Sequence, residues 1–200
     1  MIRYVAIEGI DGAGKSTVAR AIADALGARG RDVLMVREPG GTVTGEAIRE
    51  ILLDRSDPLE GWTEALLFAA ARAQLAARVV APALAAGRLV VSDRCVYSSL
   101  AYQGAGRGLG IAEVRSVNES GLRGVWPEKV VLLRVAADTG LARERQADRI
   151  SREGLELQMR VAEAYDTLAA AEPGRFIVVD ASRPFAQVVA DAIAAVEALV

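Results

Sequence analysis

Short apolar runs recur along the chain at 3–8 (RYVAIE), 32–37 (DVLMVR), 89–93 (LVVSD), 129–135 (KVVLLRV) and 175–180 (RFIVVD). Each is nearly continuous rather than alternating, which is the pattern of a parallel strand covered on both faces. Between them lie longer alanine- and leucine-rich segments with helical spacing, near 16–29, 43–54, 61–86, 98–103, 111–120, 138–146 and 154–171, with a last one from 184. The alternation predicts one α/β domain over residues 1–200, an open parallel sheet of five strands flanked by helices in three layers. No linker, repeat or low-complexity tract interrupts it. Pro82 is expected to kink or end the long third helix. Sheets of this kind bind ligands beyond the carboxyl ends of their strands, so residues 9–17, 37–42 and 93–103 are the ones to inspect.

The first strand runs into GIDGAGKST, which matches G-x-x-x-x-G-K-[S/T] through Gly9, Gly14, Lys15 and Ser16, with Ile10, Asp11, Gly12, Ala13 and Thr17 filling the loop. The glycines let successive backbone N–H groups turn toward a polyphosphate, and the helix that follows offers its positive end. Lys15 supplies a mobile charge for the outer phosphates, and the Ser16 hydroxyl can ligate Mg²⁺. The strand–loop–helix context makes this a P-loop NTPase-type fold that binds ATP or GTP. No Asn-Lys-x-Asp guanine signature is present, which favours ATP.

The other strand ends carry acceptor chemistry. REPGGT (37–42) places Arg37 and Glu38 beside a Pro-Gly-Gly turn. The third strand ends in Asp93-Arg94: the acid suits a position near Mg²⁺, and the guanidinium suits a second phosphate or a structural ion pair with Asp93. Phe68 and Arg72 are four apart on one helical face, arranged either to stack on a base and bond its edge or to serve as core and solvated charge. Ser98 with Tyr102, and Ser99 with Gln103, repeat that spacing and make a polar face. The glycine-rich 104–110 matches no dinucleotide motif and reads as a flexible loop. Residues 141–153, LARERQADRISRE, are either a solvated arginine helix or a lid. In the second reading Arg143, Arg145, Arg149 and Arg152 would close over a transferring phosphoryl group, a role worth about 10³–10⁵ in rate, and exclude water.

Composition narrows the classes. A formal charge of −2 argues against a broad nucleic-acid-binding face. One cysteine, Cys95, and no histidine leave neither an internal disulfide nor a zinc site in prospect. No stretch approaches about 18 uncharged apolar residues, so no membrane span is expected, and the N-terminal apolar run is too short for a signal peptide. A cytoplasmic protein is the expectation. Only Lys15 and Lys129 among the 24 basic residues are lysine, so position 15 calls for a chemical reason.

EGIDGAGKST, REPGGT, LLFAAARAQL, SDR, YSSLAYQGAGRGL and DRI…YDTLA occur in the order and approximate spacing of the thymidylate kinase family, and the chain resembles that family over nearly its whole length. The resemblance implies a five-stranded parallel sheet, a homodimer, and Mg·ATP with dTMP as small-molecule substrates. It implies Arg37 and Arg94 as a clamp on the dTMP phosphate with Arg49 nearby. Phe68 would lie on thymine, Arg72 at its edge, and Ser98, Ser99 and Gln103 around the base. Tyr102 would crowd the 2′ position, with Asp11 and Glu38 by the sugar and reacting phosphates. The loop has Gly12-Ala13 where one subtype carries an arginine, so the chain resembles the bacterial subtype, whose catalytic arginine lies in the lid. It departs from the pattern at Cys95, Ser151 and Leu157. The rival readings are another nucleotide or nucleoside kinase, and a phosphate-loop switch that is no kinase.

Overall fold

In the computed structural model, residues 2–53, 58–144, 150 and 153–200 are described. β1 (Tyr4–Glu8), β2 (Val33–Arg37), β3 (Leu89–Asp93), β4 (Lys129–Arg134) and β5 (Phe176–Asp180) form one sheet in the order β2-β3-β1-β4-β5. Every pairing is parallel. β1 is central, and all five of its residues are buried, as its uninterrupted apolar run requires. The order reverses beside β1, so its carboxyl end opens on the crevice where such sheets bind ligands.

The helices are α1 (Lys15–Ala28), α2 (Val43–Leu53), α3 (Gly61–Leu75), α4 (Ala81–Ala85), α5 (Val96–Ser99), α6 (Ile111–Leu122), α7 (Ala137–Arg143), α8 (Leu155–Ala171) and α9 (Phe185–Glu197). The larger core cluster joins the central strands to α1, α8 and α9 through Val5, Ile7, Ile22, Val131, Leu133, Val161 and Val188.

Two local results bear on the expectations. The long third helix is interrupted just before Pro82 and ends at Ala85, within a turn of it. It widens into a π-helical turn over Ala76–Val80 and continues as α4 to Ala85. Proline has no N–H to give the preceding turn, and the widened turn, with Ala81 N–H on Ala76 O, accommodates that loss. Gly61–Ala85 also has the length and composition of a bilayer span, with a mean hydropathy of 1.3, although Glu64, Arg72 and Arg78 keep it from being an uncharged run. Its Arg72 and Glu64 are, however, buried in the protein's own polar networks. Secondly, residues 104–106 are not a flexible loop. A π-helical segment, Leu100–Gly106, follows directly from α5. At Gly106 a Cβ would stand 2.9 Å from Leu157 and 3.2 Å from Val161, so glycine there permits close packing against α8.

Candidate active site

The crevice at the carboxyl ends of β1, β2 and β3 is a cleft of about 860 Å³. One wall is the phosphate loop. Gly14 caps α1, and Lys15 opens it. Gly12 has a positive φ of 73° and sits where a Cβ would lie on Gly140 O, so only glycine lets α7 pack on the loop. Lys15 Nζ donates to Ile10 O at 2.6 Å. Burial, reinforced by the charge of Arg94, pulls the Lys15 ammonium down to about 8, against the pull of Asp11, Asp93 and Glu8. Ser16 and Thr17 line the cleft from the first turn of α1, whereas Gly9 and Ile10 line a second cavity of about 360 Å³ behind the loop.

The opposite wall is the segment after β3. Arg94 has a φ of 70°, in the left-handed region that costs a non-glycine residue about 1–2 kcal/mol. Its backbone is held on both sides: Arg94 N–H donates to Ile7 O at 3.0 Å, and Ser92 Oγ donates to Arg94 O at 2.5 Å. The turn throws the guanidinium back across the crevice to Asp11, with Nη2 to Oδ1 at 2.5 Å. Asp11 Oδ1 also accepts from Tyr102 Oη at 3.0 Å, and its Oδ2 accepts from Gln158 Nε2 at 2.8 Å. Burial would raise the Asp11 carboxyl, but Arg94 first, then Lys15 and the Tyr102 hydroxyl, hold it below the usual range. The Tyr102 ring lies under the Arg94 guanidinium, 5.4 Å from its centre.

Glu8, the last residue of β1, explains this turn. It is fully buried. Its Oε1 accepts from Cys95 N–H at 2.8 Å, Ser98 N–H at 2.9 Å and Cys95 Sγ at 3.2 Å. Its Oε2 accepts from Ser98 Oγ and Tyr165 Oη, both at 2.7 Å. The carboxylate therefore caps α5, whose own N-cap residue, Cys95, makes no side-chain cap. Cys95 is a buried donor to Glu8, and burial followed by the Glu8 charge pushes its thiol well up.

A third wall comes from α3 and the π-helical segment. Phe68 is half-buried and faces the cleft. Arg72 is 3% exposed, with Nε on Glu38 at 2.6 Å, Nη1 on Asn118 Oδ1 at 2.5 Å and Nη2 on Cys95 O at 3.4 Å. It is thus neither a solvated charge nor unheld: three protein acceptors fix its plane, and two of its five N–H donors are left. Burial raises the Glu38 carboxyl, and Arg72 opposes that. Ser99 Oγ is buried and has no hydrogen-bond partner among the described residues. Arg37 and Arg49 stand at the rim, the first on Glu46 at 2.8 Å and the second on Pro39 O at 2.9 Å.

The cleft thus brings together Asp11, Lys15, Ser16, Arg37, Glu38, Arg49, Phe68, Arg72, Asp93, Arg94, Ser98, Ser99, Tyr102 and Gln103, all singled out in the sequence. Arg143, at the end of α7, also lines it and donates to Ala181 O at 2.8 Å. Arg145, Arg149 and Arg152 lie outside the described residues. Reasoning from sequence missed Glu8, Glu64, Asn118, Gln158 and Tyr165. Glu8 looked like a strand end, and the rest like polar positions on long helices.

A phosphate loop facing a set of arginines across one cleft, at the switch point of a parallel sheet, defines a nucleotide-dependent phosphotransferase. The family model described as thymidylate kinase matches residues 7–193, and the chain belongs to that family. It is similar to the thymidylate kinase of Cereibacter sphaeroides, 47% identical with 96% of this chain and 93% of that one covered. It is also similar to that of Desulforudis audaxviator, 48% identical with 90% and 83% covered. The crystal structure of thymidylate kinase from Ehrlichia chaffeensis superposes with a TM-score of 0.82 at 26% identity, covering 98% of both chains.

Proposed function

We propose that the protein transfers the γ-phosphoryl group of ATP to dTMP, giving ADP and dTDP. The observation that carries this reading is the joint between the two walls: Arg94 and Tyr102, from the acceptor segment, both bond Asp11 of the phosphate loop. Donor and acceptor phosphates would therefore meet over one carboxylate. A dTMP phosphate oxygen attacks the γ-phosphorus, the bond to the ADP oxygen breaks, and no protein nucleophile is needed. Catalysis is then positioning plus neutralisation of charge. Lys15 would leave Ile10 O for the phosphates, Arg94 and Arg37 would hold the acceptor phosphate with Arg49 beside them, and Phe68 would stack on thymine. Asp11 would take the sugar hydroxyl and Tyr102 would fill the space at the 2′ carbon.

Mg²⁺ fits the donor set. Among the described residues no cluster of three or more Cys, Asp or Glu side chains could hold a metal alone, and Mg²⁺ of this class takes one or two protein oxygens and otherwise phosphates and water. Ser16 and Asp93, both lining the cleft, would hold it, and it would supply neutralisation of phosphate charge. Arg143, with Arg145 and Arg149, forms the proposed lid. The protein would act as a cytoplasmic homodimer, for which the half-exposed Ile51 on α2 and Leu66 on α3 offer apolar surface.

A coupled ADP-release assay across dTMP, dUMP, AMP and no acceptor tests the reading. Turnover should require a pyrimidine deoxynucleotide and be greatest with dTMP. Comparable turnover of AMP would establish a different nucleotide kinase, and hydrolysis independent of any acceptor a switch.

A further inference from the structure

Glu64 is completely buried on α3, one turn before Phe68, and its role is not explained by phosphate chemistry. Its Oε1 accepts from Gln103 Nε2 at 2.8 Å and from Arg107 Nε at 3.1 Å, and its Oε2 accepts from Arg107 Nη2 at 2.9 Å. Arg107 is itself held from the other side by Glu153. Burial works against the Arg107 charge, but the Glu153 and Glu64 carboxylates more than offset it and push its titration up.

The consequence falls on Gln103. An amide can turn either end to a neighbour, but a carboxylate held by a guanidinium on both oxygens can only accept. Gln103 must therefore give its nitrogen to Glu64, and its Oε1 is left as a hydrogen-bond acceptor. That oxygen accepts no bond among the described residues, and Gln103 lines the cleft beside Phe68, Arg72 and Ser99. A base lying on Phe68 would thus meet an acceptor from Gln103 and donors from Arg72. A thymine ring carries N3–H next to the O4 carbonyl, whereas cytosine carries a bare N3 next to an amino group, so this wall matches the first and opposes the second.

We propose that Glu64, locked by Arg107, is a specificity-positioning residue that fixes the Gln103 amide so that its carbonyl reads the N3–H of the acceptor base. The proposal rests on the thymidylate reading of the cleft. It concerns one ring position, and Arg72 reads the neighbouring one independently.

Three kinetic measurements decide it. On the unmodified protein, N3-methyl-dTMP should be used at least about 100-fold less efficiently than dTMP, since a site built around a hydrogen bond rejects the analogue that lacks it. Glu64→Ala, which frees the amide to turn, should lower kcat/KM for dTMP about tenfold, mostly through KM, and narrow the dTMP to dCMP ratio by a similar factor. In a Gln103→Met background the same Glu64→Ala change should cost less than about twofold, because a residue acting through Gln103 has nothing left to position. Equal losses in both backgrounds would overturn the proposal, as would unimpaired use of N3-methyl-dTMP; the N3-methyl-dTMP measurement stands even if the variants fail to fold. Absence of dTMP turnover in the unmodified protein sinks the thymidylate reading and this inference with it. Turnover of dTMP with a failed double-mutant cycle sinks this inference alone.

Discussion

Replacing Glu8 tests how the wall after β3 is held. Glu8→Ala removes the acceptor of two backbone N–H groups, those of Cys95 and Ser98, at the buried start of α5. Each such donor left without a partner costs about 1–3 kcal/mol, whereas the Ser98 and Tyr165 hydroxyls can rotate toward one another, already 3.3 Å apart. The expected loss is about 4 kcal/mol, which at about 2–4 °C per kcal/mol for a chain of this size lowers Tm by about 8–16 °C. Glu8→Gln should behave differently. Its carbonyl can stay on the two N–H groups and its nitrogen can donate to the two hydroxyls, so the loss should be about 1 kcal/mol. Urea and thermal unfolding of both variants provide the measurement. Turnover under conditions where each is folded should drop much more for Ala, since the cap anchors the residue next to Arg94, whose left-handed backbone relaxes when that anchor goes. Equal destabilisation by Ala and Gln, or a loss below about 1 kcal/mol for Ala, would refute the capping argument.

Three further outcomes follow from the same geometry. On the proposed reading the polyphosphate binds protonated Lys15, whose ammonium is pulled down to about 8 in the free protein, so the KM for ATP should be flat below about pH 8 and rise by up to tenfold per pH unit above it; Lys15→Arg should remove that limb, and a flat profile to pH 9.5 in the unmodified protein would contradict the assignment. At Gly140 an added Cβ would stand 2.6 Å from Asp11 O and 2.8 Å from Ile10 Cδ1, so Gly140→Ala should push α7 off the phosphate loop, raising the KM for ATP and costing about 1–3 kcal/mol in urea unfolding. Phe68→Ala should raise the KM for dTMP by about 5–150-fold, the worth of one aromatic–base stack at about 1–3 kcal/mol, with kcat little changed; unaltered dTMP kinetics would make Phe68 a core residue only.

The strands and the phosphate loop were legible because each has a one-dimensional signature. A doubly covered strand must be apolar at every position, and a polyphosphate cradle must have its glycines and lysine at fixed spacing. The partners of those residues were not legible, because they are set by register and crossing angle. Ile7 of β1 pairs with Asp93 of β3, and only that register brings Glu8 beside the start of α5, 87 residues away in the chain. Gln158 and Tyr165 are spaced seven apart on α8, a spacing shared by any buried helical pair, yet one orients Asp11 and the other Glu8. Residues 104–106 misled for a different reason: glycines that signal a loop to a reader of propensities here relieve crowding inside a packed π-helical turn, at Gly104 against Ile111 and at Gly106 against α8.

One consequence of that buried layer bears on how the site divides its labour. Three carboxylates that touch no solvent or almost none each hold one group of the cleft: Glu8 the start of α5 after Arg94, Glu38 the Arg72 guanidinium, and Glu64 the Gln103 amide. Burying a carboxylate is costly unless several donors meet it, and each of these meets at least one charged or backbone donor, so the layer is rigid as well as polar. The groups proposed to meet phosphates are held differently. Lys15 rests on a carbonyl of its own loop and Arg37 on a glutamate at the rim, the second a surface ion pair that a phosphate can displace at little cost. On the proposed reading a rigid wall would read the base and sugar while less tightly held cations follow the phosphates, which would place discrimination in the acceptor and leave charge compensation free to adjust as the phosphoryl group crosses. Substitutions in the buried carboxylate layer should therefore act on the choice of acceptor and on stability together, whereas changes to Lys15 should act on turnover with stability nearly intact.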